Sequence, residues 1–280
     1  MTPEITIMVL VAALLHAMWN ALVKKASDRL LVLSSVALGQ FIVGVVLIPF
    51  VRPPNPNSWP AIGVSCLFHY LYYVFLFQAY RFGDLSQAYP TARGVAPILV
   101  AIGAAVFGGE YLSTPSLCGV ILASMGIASI AWVQEACVKR NRSAVFFAVG
   151  TGAIIAGYSV SDGIGVRLSG SPFGFIAWLF LFECPVVIFA LVRRRGQLVF
   201  AWRSHWQGVI GTAISSVLAY GIVIYAANFA PIAAVSALRE SSVIMAALIG
   251  TLVFGERPWQ IRIAAAVLVA GGVAIITMGT

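Results

Sequence analysis

Displaced by 146 residues, the chain lies on top of itself. The segment Ala88–Glu110 falls on Ala234–Glu256, with Arg93 on Arg239 and Gly109-Glu110 on Gly255-Glu256. Further along, Gly126 meets Gly272. What lies between these landmarks is apolar and of helix length, so the repeated unit is a set of membrane spans, five to each copy. The copies divide the chain at 1–137 and 138–280. Two such repeats with ionisable residues at matching depths form the ground plan of many secondary transporters.

Composition excludes the soluble alternatives. Hydrophobic residues make up 61% of the 280 positions and charged ones 9%, with mean hydropathy +0.98, which leaves no solvated surface outside short loops. The cysteines Cys66, Cys118, Cys137 and Cys184 show no metal or disulfide spacing. A net charge of +8 suggests an acidic partner, but the basic residues cluster between apolar spans, at Lys24-Lys25, Lys139-Arg140 and Arg193-Arg194-Arg195. They read as topology signals beside anionic lipid, and nucleic acid is not an expected partner. Met1-Thr2-Pro3-Glu4 lacks the basic start of a signal peptide, so the first span is expected to stay.

About 20 apolar residues cross a bilayer. Ten segments qualify: 5–23, 30–51, 59–80, 86–107, 114–133, 143–163, 172–192, 206–227, 232–253 and 259–278. The loops after the odd-numbered spans hold 13 Lys and Arg, the opposite side only Arg52 and Arg167. That bias places both termini outside the cytoplasm of a bacterial inner membrane. With five spans per copy, the second is inverted relative to the first. The fold expected is an all-α polytopic membrane protein of ten transmembrane helices, built as two inverted five-helix repeats around a central cavity.

The repeated Gly-Glu after spans 4 and 9, with the run His16-Ala17-Met18-Trp19-Asn20 in span 1, resembles the EamA group of the drug/metabolite transporter superfamily. The resemblance covers nearly the whole chain. It implies a basket whose cavity is lined by spans 1, 3, 4, 6, 8 and 9, with spans 5 and 10 at the periphery. It also implies transport without a cofactor, since members include amino-acid exporters alongside drug and metabolite carriers. Many ten-helix relatives keep their termini in the cytoplasm, whereas the charge bias here argues the reverse.

Arg93 and Arg239 are the strongest site candidates. Each lies seven residues into its span, about 10 Å from the end at 1.5 Å per residue, which puts one on each side of the midplane. An intramembrane arginine faces a cavity or a partner, and its planar fork suits a substrate carboxylate. The plainer alternative pairs them internally, for instance Arg239 with Glu183. Pro97 removes the helical partner of the Arg93 carbonyl, and with Pro90 it marks span 4 for interruption. Val243 at the matching position gives span 9 no such break.

Glu183 and Glu240 are candidates for carrying a coupling proton. Glu240 is also a candidate for receiving a substrate ammonium. It adjoins Arg239 but points about 100° away on a helix, so the two are not expected to face each other. Glu183 falls outside the lining spans, which favours a structural role. An aromatic and polar group completes the expected substrate site: His16, Trp19 and Asn20 on one face of span 1, His69, Tyr72 and Tyr73 on span 3, Tyr158 with Asp162 on span 6, and Tyr220 on span 8. Such a mixture suits an amphiphilic zwitterion. The histidines are too scattered for a metal site, and no phosphate-binding Gly-x4-Gly-Lys loop occurs. Small residues at Gly119 and Ala123, and at Ala266, Ala270 and Ala274, serve close helix packing within the chain or in a homodimer. The expected function is export of small amphiphilic metabolites, amino acids above all, by a protein that is not an enzyme. The alternative is proton-coupled efflux of drugs or other cations.

Overall fold

The computed structural model describes residues 1–25, 29–82, 85–135, 141–194, 197–245 and 259–279. The second Gly255-Glu256, together with Lys139, Arg140, Arg195 and Cys137, lies outside them. The elements are α1 (Pro3–Lys25), α2 (Arg29–Leu47), α3 (Trp59–Phe82), α4 (Leu85–Gly108), α5 (Thr114–Glu135), α6 (Arg142–Leu168), α7 (Pro172–Leu181), α8 (Cys184–Arg193), α9 (Gln197–Ser204), α10 (Trp206–Ala227), α11 (Ile232–Arg239) and α12 (Trp259–Gly279). No strand occurs among the described residues. Seven segments are long and apolar enough to cross a membrane, and shorter apolar stretches lie in α5 and α12. Large side chains such as Ile42, Val46, Leu67, Phe77 and Val106 point outward, as a lipid-facing surface requires.

Sequence chemistry sets the helix ends. Pro53-Pro54-Asn55-Pro56 stops the chain between α2 and α3. Asn141 caps α6 by accepting from the Ser143 amide at 3.0 Å, and Ser171 caps α7 by accepting from Gly174 at 3.2 Å. At the end of α4, Gly109 takes a left-handed φ of 62°, open to glycine without strain. The turn lets the Glu110 amide bond back to the Ala104 carbonyl at 3.0 Å.

The breaks fall elsewhere than the prolines suggest. Helix α4 runs through Pro90 and Pro97 without ending. It is held closely on two sides, by α5 where Gly94 meets Ala128 and by α6 where Gly152 meets the Ala92 carbonyl. Span 9 is the one that breaks: α11 stops at Arg239, and the amides of Glu240 and Ser241 turn to carbonyls only three residues back. Span 7 divides into α7 and α8 at Phe182-Glu183. Pro185 disrupts that turn, and the Phe182 carbonyl accepts from the Tyr70 hydroxyl at 2.5 Å. The short helix α9 is an addition the span pattern did not anticipate.

Packing follows the repeat. Helix α3 packs along α6, and its counterpart α10 packs along α1; α5 lies against its own counterpart α12, and α4 faces α11. This is the contact pattern of two swapped halves about a pseudo-two-fold axis. Where α5 crosses α12, a Cβ on Gly272 would stand 2.6 Å from the Gly119 carbonyl oxygen and 2.7 Å from the Ala123 nitrogen. The Gly119–Ala123 stripe is therefore occupied by the chain's own α12. Backbone cannot yield there as a side chain does, so Gly272→Val should cost about 1–3 kcal/mol through overpacking. Thermal unfolding in detergent is the check, and Gly63→Ala, whose added Cβ meets nothing within 4 Å, should be near neutral.

Candidate functional site

Five charged side chains are buried among the described residues: Arg93, Asp162, Glu183, Arg239 and Glu240. Three of them form one cluster. Glu240 is fully enclosed, with Arg93 and Arg239 only 4% and 3% exposed. Arg93 Nε lies 2.8 Å from Glu240 Oε2, and Arg239 Nη2 lies 3.6 Å from Oε1. Arg93 Nη2 also donates to Ser242 Oγ at 3.2 Å. The arginines expected on opposite sides of the midplane thus converge on one carboxylate. Arg239 and Glu240, expected to diverge by helical geometry, meet because the helix ends between them. The pairing of Arg239 with Glu183 does not occur, since Glu183 has other neighbours.

Those neighbours form a second cluster along one face of α3, where Ser65, His69 and Tyr73 follow at intervals of four. Ser65 Oγ donates to Asp162 Oδ1 at 2.5 Å, and Tyr220 Oη donates to Asp162 Oδ2. His69 Nε2 lies 2.9 Å from Tyr220 Oη. On its other side, His69 Nδ1 is 3.9 Å from Glu183 Oε1, and Tyr73 Oη donates to Glu183 Oε2 at 3.5 Å. Tyr158 closes the aromatic wall, its ring centroid 4.6 Å from His69, 6.0 Å from Tyr220 and 6.3 Å from Tyr72. Glu183, a candidate proton carrier on a span not expected to line the cavity, lies in this cluster at the break between α7 and α8.

Span 1 contributes separately. Trp19 Nε1 donates to His16 Nδ1 at 3.2 Å, Asn20 Nδ2 donates to the His16 carbonyl at 2.7 Å, and the His16 and Trp19 rings meet edge to face. His16 is within electrostatic reach of Arg93 and Arg239. Trp19 and Asn20 are tied to His16 rather than to the tyrosine group.

A narrow cavity, much of it open mouth, lies between the two clusters. Asp162 and Tyr220 line one part and Arg239 with Ser236 another, while Val223, Ile224, Ile232 and Val235 supply apolar wall. Of the two arginines it is Arg239 that borders this space, and its Nε and Nη2 have no hydrogen-bond partner among the described residues. Beyond the cavity, toward the loops after α4, α6 and α10, an ion-pair lock ties these segments together. Arg167 reaches Glu110 Oε2 at 2.8 Å and donates to the carbonyls of Ala227 and Ala230 at 2.8 and 2.7 Å. The other Glu110 oxygen accepts the Ile232 amide at 2.6 Å, on the first turn of α11. Among the described residues, no three His, Cys, Asp or Glu side chains gather in a metal-binding group.

The family model for the EamA-like transporter family matches residues 4–132 and again residues 142–278. The chain belongs to the EamA-like transporter family. A solved crystal structure shares this transporter's fold at a TM-score of 0.73 and 17% identity, covering 99% of this chain and 98% of its own. No curated protein matches the chain. The two matched blocks agree with the duplication, and the protein is a multi-pass membrane protein.

Sequence reasoning singled out most members of this EamA-like site but missed what joins them. Ser65 and Ser242 gave no signal, whereas Asp162 was singled out beside Tyr158 on span 6. Arg167 did give one, as one of two basic residues on the poor side, and Glu110 as the end of the repeat. The buried triad makes a specific demand: Glu240→Gln leaves two guanidiniums without their carboxylate and should cost roughly 3–5 kcal/mol of stability. A double-mutant cycle with Arg93→Met, read by unfolding in detergent, should show the paired variant losing much less than the sum of the two.

Proposed function

We propose that this EamA-like protein exports small amphiphilic metabolites, with amino acids as its substrate class, across a bacterial inner membrane. The observation that carries the reading is the cavity bounded by a guanidinium and a carboxylate at once. Arg239 offers Nε, which has no hydrogen-bond partner among the described residues, to a substrate carboxylate, while its Nη2 stays paired with Glu240. Asp162 offers an anion to the ammonium group, and Val223, Ile224 and Val235 receive an apolar side chain. Arg93 acts behind Arg239 by holding Glu240 in place. Tyr158, Tyr220, Tyr72 and His69 form the flank on which an aromatic or neutral side chain rests. His16 and its partners Trp19 and Asn20 stand on the far side of the arginine cluster.

Transport follows from the repeat. The cavity is narrow, and the Glu110–Arg167 lock shuts one face, so admitting a solute requires the two halves to part at the other face. Rocking about the Arg93–Glu240–Arg239 contact then exposes the site to alternate sides. The charge bias identifies the locked face as the one away from the cytoplasm.

Counterflow in proteoliposomes tests this: unlabelled threonine, methionine or phenylalanine inside, the labelled form outside. The expected result is transient accumulation that disappears in Arg239→Ala. Accumulation that survives Arg239→Ala would remove the arginine from substrate binding while keeping the function. Folded protein with no counterflow of any amino acid would move the assignment to efflux of cationic compounds, which the acids Asp162 and Glu183 would favour.

A further inference from the structure

Among the described residues the buried charges do not balance. Arg93 and Arg239 supply two positive charges, and Asp162, Glu183 and Glu240 supply three negative ones. Glu240 is matched by two guanidiniums, so the excess negative charge belongs to the chain of groups running from Asp162 to Glu183. An uncompensated charge in hydrocarbon is expensive enough that such a group binds a counter-ion or a proton.

Hydrogen-bond direction shows where the extra positive charge goes. The single proton of Tyr220 is given to Asp162, so at the 2.9 Å contact with His69 the tyrosine oxygen can only accept. His69 therefore carries its proton on Nε2. In a neutral imidazole that leaves Nδ1 as a bare lone pair. This Nδ1 is buried, has no hydrogen-bond partner, and faces Glu183 Oε1 at 3.9 Å. A lone pair facing a carboxylate repels it. One proton at this pair lets the two atoms close from 3.9 Å to hydrogen-bond distance and brings the buried charge of the described residues to zero.

We infer that His69 and Glu183 share one exchangeable proton, and that Tyr220 relays it to Asp162 at the cavity, forming a proton-coupling site separate from the arginine triad. The transfer balances: a proton accepted at His69 Nδ1 from Glu183 releases the Nε2 proton to the Tyr220 oxygen, and the Tyr220 proton moves to Asp162. The relay ends with Asp162 protonated, Glu183 ionised and His69 in its other tautomer. Ser65, His69 and Tyr73 span eight residues of α3, so the path covers about 12 Å along the helix, from the cavity side to the break between α7 and α8. Among the described residues no three-ligand metal group surrounds Asp162.

Other ionisable neighbours can act on the relay without replacing it. Cys66 and Tyr70 on α3, with Cys184 at the start of α8, lie near Glu183, and Tyr73 bonds to it. Tyr158 on α6 and Arg239 on α11 lie near Asp162.

The test does not depend on knowing the solute. Infrared titration of the purified full chain in lipid should show one carboxylic-acid band per chain that is lost on raising the pH. Glu183→Gln should abolish that band, because the glutamine amide donates to His69 Nδ1 in place of the acid. His69→Gln should shift its titration midpoint, and Glu110→Gln should leave it intact. A wild-type chain with no such band, or one whose band survives Glu183→Gln, overturns the assignment, as does a midpoint unmoved in His69→Gln. If counterflow succeeds while the band is missing, the transport reading stands and the proton site falls. If the band behaves as expected and counterflow fails, the reverse holds.

Discussion

A carboxylate held between two guanidiniums in a bilayer interior is tolerated only when every charge has its partner in place. The remaining architecture is organised around that condition. Arg93 comes from the first repeat, Arg239 and Glu240 from the second, and the ion pair of Arg93 with Glu240 is a buried charged contact that ties the halves. The helix must stop at Arg239 for Glu240 to turn back toward its neighbour, so the break in span 9 and the triad are one feature. Around it, the pairings of α3 with α6 and α1 with α10 seal the site from lipid by apolar contact.

A similar logic governs the second acid. Glu183 would point away from the site if span 7 were a continuous helix. The interruption before Pro185 swings it toward α3, and Tyr70 satisfies the carbonyl that the interruption frees. Both buried glutamates thus sit at helix breaks, where backbone groups and side chains are satisfied together. The result is a cationic centre and an anionic path on opposite walls of one cavity.

Much of this was legible in the sequence. The offset between Arg93 and Arg239 disclosed the duplication, and apolar run lengths gave the spans, because both depend on local composition. The aromatic face of α3 was visible from the spacing of His69 and Tyr73. What escaped was tertiary. Pro97 promised a break that close contacts with α5 and α6 suppress, whereas the turn at Glu240-Ser241 has no proline to announce it. Counting residues along the helices set Arg93 and Arg239 apart, whereas their long side chains meet at one carboxylate. Gly109-Glu110 was recognised as a recurring pair. Its purpose became clear only with the fold, where the glycine reverses the chain and the glutamate reaches both Arg167 and the start of α11.

The distance in sequence between the members of the triad has a consequence for biosynthesis. Arg93 and its partner Ser242 are separated by 149 residues, and Glu240 emerges at nearly the same moment. At roughly 5–20 residues per second of synthesis, α4 waits on the order of 7–30 s in the membrane with its guanidinium uncompensated. During that interval the first repeat is a nascent chain with an exposed cationic defect, a target for insertases, chaperones and membrane proteases. The second half therefore completes the first as well as duplicating it, since it supplies the carboxylate that Arg93 pairs with.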